Sequence, residues 1–207
     1  GSFFMLGLYL AYSLVAHVAP WFAPWMGDGA AYFLALLLAA LLTGALGAAV
    51  EVLLLRRIYH APELFQLLAT FALVLIVQDA TLAIWGAQDL LGPRAPGLAG
   101  ALDLGGRRLP WWDVLLIAVG PLMLWLLSWL ITRTRFGLWV RAATQDREML
   151  AALGVPPQRV FTAVFALGCA LAGLAGALQL PREPASLGLD LATLGDAFVV
   201  VVVGGLG

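Results

Sequence analysis

Two groups of side chains in this sequence have the types and spacing to do chemistry. The first is the pair Gln78-Asp79, about 15 residues into an apolar run that begins near Leu64. At a helical rise this places the pair toward the far half of the run. An ionisable side chain facing lipid is costly, so Asp79 is by default a site for a polar solute or an ion, with Gln78 beside it. The competing reading is an interface-level Asp79, hydrated from outside, that caps or pairs with a neighbouring helix. Thr70 is a weaker member of the same tentative pathway, because a threonine hydroxyl commonly bonds its own helix backbone. Glu51 lies one turn before Arg56-Arg57 and is expected to pair locally.

The second group is Thr132 to Arg159, TRTRFGLWVRAATQDREMLAALGVPPQR, with Arg133, Arg135, Arg141, Arg147 and Arg159 beside Asp146 and Glu148. From Gly137 to Leu153, apolar Leu138, Met149, Leu150 and Leu153 alternate with Arg141, Gln145, Asp146, Arg147 and Glu148. That pattern predicts an amphipathic helix. Gly154 supplies a left-handed end and Pro156-Pro157 stop any continuation. The chemistry here is recognition. One reading is a helix on the inner leaflet with arginines near lipid phosphates. The other is a docking helix that receives force from a cytoplasmic protein, and the mixed signs of charge favour it.

Long apolar runs must position both groups. The chain is 63% hydrophobic and 11% charged, with mean hydropathy +0.98, against about 25% charged residues in soluble domains. Runs such as Leu34–Leu42 do not alternate as barrel strands would. The expectation is an all-α, polytopic integral membrane helix bundle. Its runs are Phe3–Val18, Ala30–Leu55, Leu64–Trp85, Asp113–Ile131, Val160–Leu180 and a last stretch from near Leu194. A Trp- and Pro-bearing loop follows the first run. Between Gly86 and Trp112, ALDL-GG-RRLP reads as a short external β-hairpin turning at Gly105-Gly106. Ala40, Gly44 and Ala48, and again Gly168, Ala172 and Gly176 with Cys169, Gly173 and Ala177 beside them, form stripes of small residues suited to close helix packing or, alternatively, a narrow path. Gly204-Gly205 near the end is compatible with a broken helix.

Arginines set the orientation. The links after the second and fourth runs hold seven and the opposite loops hold four, which places Thr132–Arg159 in the cytoplasm. Cys169 is alone in an apolar run, and His17 and His60 have no partner at ligand spacing. No Walker motif, nucleophile constellation, metal cluster or dinucleotide fingerprint occurs. No cofactor is expected in this chain, no nucleic-acid partner either, and any nucleotide hydrolysis belongs to another chain.

The blocks GSFFMLGLYLAY (Gly1–Tyr12), RRIYHAPELFQLLATFALVLIVQD (Arg56–Asp79), TRFGLWVRAATQDREMLAALGVPPQRV (Thr134–Val160), FALGCALAGLAGAL (Phe165–Leu178) and DAFVVVVVGGLG (Asp196–Gly207) resemble, in order and spacing, the branched-chain amino acid ABC transporter permeases. The resemblance is closer to the H-type subunit than to its M-type pair, and the family includes permeases for urea and short amides. It implies a multi-pass subunit of the bacterial inner membrane. Its partners would be a second permease subunit, two cytoplasmic ATPase subunits carrying ATP-Mg, and a periplasmic binding protein. It further implies that Arg141–Gly154 is the coupling helix. In that role Arg141, Asp146 and Glu148 would supply salt bridges, Met149 and Leu153 an apolar plug, and Gly154 the end. Residues 1–207 then read as a single transmembrane permease domain. Because Gly1-Ser2 lacks a methionine and Gly207 stops inside an apolar run, it is expected to be a fragment lacking helices at both ends. Where the family often has a Gln-Asn-like pair, this chain has Gln78-Asp79. Without the resemblance, an ion-gradient-driven secondary transporter or channel-like protein acting through Asp79 is the alternative.

Overall fold

The computed structural model describes residues 1–59, 61–98, 100–104 and 107–204. Three helices, α1 (Ser2–His17), α3 (Asp28–Val50) and α9 (Pro157–Gln179), pack against one another as the centre of the molecule. Membrane helices gain most where their backbones approach closely, which small residues permit. On α3 the buried face is Ala39, Ala40, Thr43, Gly44 and Gly47. It meets Cys169, Ala170 and Gly173 of α9. A Cβ on Gly173 would sit 2.5 Å from the Thr43 Cβ, and one on Gly44 would sit 2.8 Å from the Ala170 Cβ. Gly7 of α1 presses on the backbone of Gly173 from the other side.

Of the small residues expected to pack on α9, Cys169, Gly173, Gly176 and Ala177 are buried. Gly168 is exposed, with open space where a Cβ would point. The contact falls on Cys169, Gly173 and Gly176, since the helix turns its Gly173 face to both α1 and α3.

Trp21 and its neighbours, expected as a loop, form helix α2 (Ala19–Met26), bent 59° from α1. Pro20 stands in its first turn, where no N–H partner is needed. Helix α3 continues through a π-helical turn (Glu51–Leu55) into α4 (Arg56–Ile58). Helix α5 (Glu63–Trp85) lies against α1, with the Tyr9 and Trp85 rings 5.4 Å apart and Trp85 Nε1 donating to Ser13 Oγ at 2.7 Å.

Strands β1 (Ala101–Leu104) and β2 (Arg107–Pro110) pair antiparallel, with Asp103 opposite Arg108. The expected Gly105-Gly106 turn lies outside the described residues, as do His60 and Gly205. Helix α6 (Trp111–Arg133) follows, and Trp112 Nε1 ties its start to the Leu178 carbonyl at 3.1 Å. Two short helices, α7 (Arg135–Gln145) and α8 (Arg147–Ala152), lead into α9. Helix α10 (Leu189–Gly204) begins five residues earlier than the apolar pattern suggested, near Leu194.

Among the described residues, four helices are long and apolar enough to cross a membrane. They are 28–58, 63–85, 111–133 and 157–179, with mean hydropathy of 2.0 to 2.4. The bent pair α1–α2 makes a fifth if it is one span.

Candidate functional site

Thr134 opens the α7–α8 segment. Its extended backbone leaves α6, and its Oγ1 accepts from the Gly137 N–H at 3.3 Å. Glycine is required at 137 because a Cβ there would overlap the Ile131 carbonyl. The single helix expected over Gly137–Leu153 is two helices. At Asp146 the backbone turns extended, and its Oδ1 accepts from the N–H groups of Glu148 at 2.9 Å and Met149 at 3.0 Å. A short carboxylate that satisfies the free N–H groups of a new helix start competes with continuation of the old one. At the other end Gly154 has φ 82°, and the Val155 N–H reaches the Leu150 carbonyl at 3.3 Å. This is the left-handed termination expected there.

One face of the segment is tied down and the other is free. Leu150 packs with Ala143 and with Val160 of α9, and all three are buried. Arg141, Asp146, Glu148, Met149, Leu153 and Gly154 are all exposed. Met149 is 60% exposed and Leu153 is 73% exposed, with Leu138 also open. Two of the expected salt-bridge residues have partners already. The Arg141 guanidinium donates to the Ile131 carbonyl, and the Asp146 carboxylate caps α8. Arg147 lays its guanidinium 4.6 Å from the centroid of the Phe161 ring.

The three pathway residues are not brought together. Thr70 is exposed and its hydroxyl donates to the Leu67 carbonyl at 2.9 Å. Consecutive positions on α5 diverge, so Asp79 is exposed while Gln78 turns inward. The Gln78 amide donates to Asp190 Oδ2 at 3.2 Å, and Ser2 Oγ donates to the same oxygen at 3.0 Å. Asp190 is 2% exposed. Asp190 is not among the pathway residues expected from the sequence. The usable signal was an acid flanked by leucines directly ahead of an apolar run, which is a helix first turn.

Glu51, expected to pair with the nearby arginines, does so with Arg56 at 3.6 Å. It also bonds across to α9, accepting from the Thr162 hydroxyl at 2.5 Å. Two open clefts of about 530 and 570 Å³ flank α2, and neither is lined by Thr70, Gln78 or Asp79.

Residues 1–207 match the family described as branched-chain amino acid transport system / permease component. The high-affinity branched-chain amino acid transport system permease protein BraD of Pseudomonas aeruginosa is 25% identical over 214 residues, covering 100% of this chain and 68% of BraD. The corresponding permease proteins LivH of Salmonella typhimurium and Salmonella typhi are each 22% identical over 183 residues, covering 86% of this chain and 58% of LivH. No solved structure matches. With its apolar helices and a family match along every residue, this chain belongs to the permease components of branched-chain amino acid transport systems.

Proposed function

We propose that this chain is a permease subunit of an ATP-driven importer for branched-chain amino acids or related small amides. It forms part of the transmembrane pathway and takes its drive from separate ATPase subunits through α7–α8. The observation that carries the reading is the free face of that segment, where Met149 and Leu153 stand open to solvent among charged neighbours. Exposed ion pairs contribute about 0–1 kcal/mol each, so the apolar pair is the main contact and Glu148 tunes it. Arg141 ties the segment to α6 through the Ile131 carbonyl, and Asp146 caps α8.

In this reading α7–α8 lies on the cytoplasmic side of a bacterial inner membrane and the β1–β2 pair lies outside. A second permease subunit, two ATPases with their ATP-Mg and a periplasmic binding protein complete the assembly. The names of the similar proteins, BraD and LivH, support the substrate class.

The test is Leu153→Asp in the native-host complex. A residue this exposed carries little of the fold, and such surface changes usually stay within about 0.5 kcal/mol. The expected result is normal membrane insertion with loss of ATPase co-purification and of leucine or amide uptake. Retained uptake and co-purification would exclude the coupling role.

A further inference from the structure

Three consecutive residues at the base of α9 point in three directions. Val160 joins the apolar cluster of Ala143 and Leu150, which holds α7 and α8. Phe161 carries the Arg147 guanidinium on its ring. Thr162 faces the far side and reaches the π-helical turn of α3. Arg56 Nη2 donates to the Thr162 hydroxyl at 2.8 Å, and that hydroxyl donates to Glu51 Oε2 at 2.5 Å. One threonine oxygen therefore bridges an acid and a base that bracket the π turn, while its two chain neighbours grip the α7–α8 segment.

The cluster is also unfinished. Glu51 is 1% exposed, yet its Oε1 and the Arg56 Nε are buried without hydrogen-bond partners. A buried, half-satisfied polar network is unfavourable. A rearrangement that paired those two atoms would relieve it. A π turn, with its i→i+5 hydrogen bonding, interrupts the α-helical repeat and recurs at functional sites. The acid, the base and the irregular turn thus supply an element with a second arrangement within reach.

We propose that Glu51, Thr162 and Arg56 form the joint through which the α7–α8 segment moves α3. Thr162 and Glu51 are then positioning residues for coupling. This rests on the reading of α7–α8 as the ATPase-docking segment.

The test uses the intact importer with its binding protein in proteoliposomes, measuring ATP hydrolysis and leucine import together. Thr162→Val removes the bridging hydroxyl at nearly constant volume, and Thr162→Ser keeps it. The valine variant should retain its ATPase subunits and hydrolyse ATP near the wild-type rate. Its import per ATP should fall by roughly fivefold or more, the lower end of couplings between sites, and serine should restore it. Wild-type import per ATP in an intact valine complex overturns the joint, as does a serine variant as uncoupled as valine. If Thr162→Val does not insert, Glu51→Gln decides: a fall in import per ATP supports the joint and an unchanged ratio overturns it. A wild-type preparation that lacks ATPase subunits overturns the docking reading itself, and the joint with it.

Discussion

Gly168 and Gly176 lie on the same sequence stripe of α9, yet they should respond oppositely to one added methyl group. A Cβ on Gly176 overlaps the Phe4 carbonyl of α1, while one on Gly168 meets open space. Overpacking of a tight contact costs about 1–3 kcal/mol. Gly176→Ala is therefore expected to lower the thermal unfolding temperature in detergent, and Gly168→Ala to leave it unchanged. Equal responses would mean that α1 does not press on α9 as described. Asp146 gives a second residue-scale prediction. As a helix cap it should be lost in Asp146→Ala at about 0.5–2 kcal/mol of local stability and largely kept in Asp146→Asn, whose side-chain oxygen still accepts. Hydrogen exchange across 147–152 checks this. If its charge were what mattered, both variants would open the segment alike. Small residues, Gly154 and the local Glu51 pair were legible because each depends on its near neighbours in sequence. Asp190 and Thr162 were not, because their roles come from residues 188 and 111 positions away.

Elements were legible where an apolar run was long enough to force a helix, as in α3, α5, α6 and α9. They were less so where polar side chains decide. Amphipathicity is blind to a cap, so the pattern over Gly137–Leu153 read as one helix although Asp146 divides it. Prolines read as a loop what is helix α2, because Pro20 falls in the first turn, where it is tolerated. The π turn in α3 left no periodic trace. The docking of α10 is a feature of the same kind. Gln78 of α5 and Ser2 of α1 both donate to Asp190, so this buried carboxylate holds three elements together. Gln78→Leu strips one donor from it, and a buried acceptor left short costs about 1–3 kcal/mol. Asp79→Asn, on the exposed side of α5, should leave stability unchanged. Proteolysis of detergent-solubilised protein checks both, with cleavage in 181–189 expected to accelerate only for Gln78→Leu. Faster cleavage in Asp79→Asn would mean that α5 is turned the other way.

On the scale of the whole molecule, apolar surface is distributed as lipid or a partner helix requires and not as water would. Phe71, Leu124, Phe198 and Val203 on α5, α6 and α10 are all more than half exposed, and an unshielded patch of this kind marks a membrane or protein interface. The arginine distribution supplies the direction. Arg133, Arg135, Arg141, Arg147 and Arg159 gather at the α7–α8 end, while Arg94 sits in the segment that follows α5. Positive charge is retained on the cytoplasmic side, so the two ends of the bundle should react from opposite sides of the membrane. The only cysteine of the sequence, Cys169, is buried between α3 and α9, so it should react little with a charged maleimide in the folded protein. Leu153→Cys and Arg94→Cys each add one exposed thiol at opposite ends. Leu153→Cys should be labelled in inverted vesicles and protected in intact spheroplasts, and Arg94→Cys should show the reverse. Labelling of both from one side would place α7–α8 and the α5–β1 segment on the same face, leaving α6 without a crossing and the ATPase-facing assignment of α7–α8 without its basis.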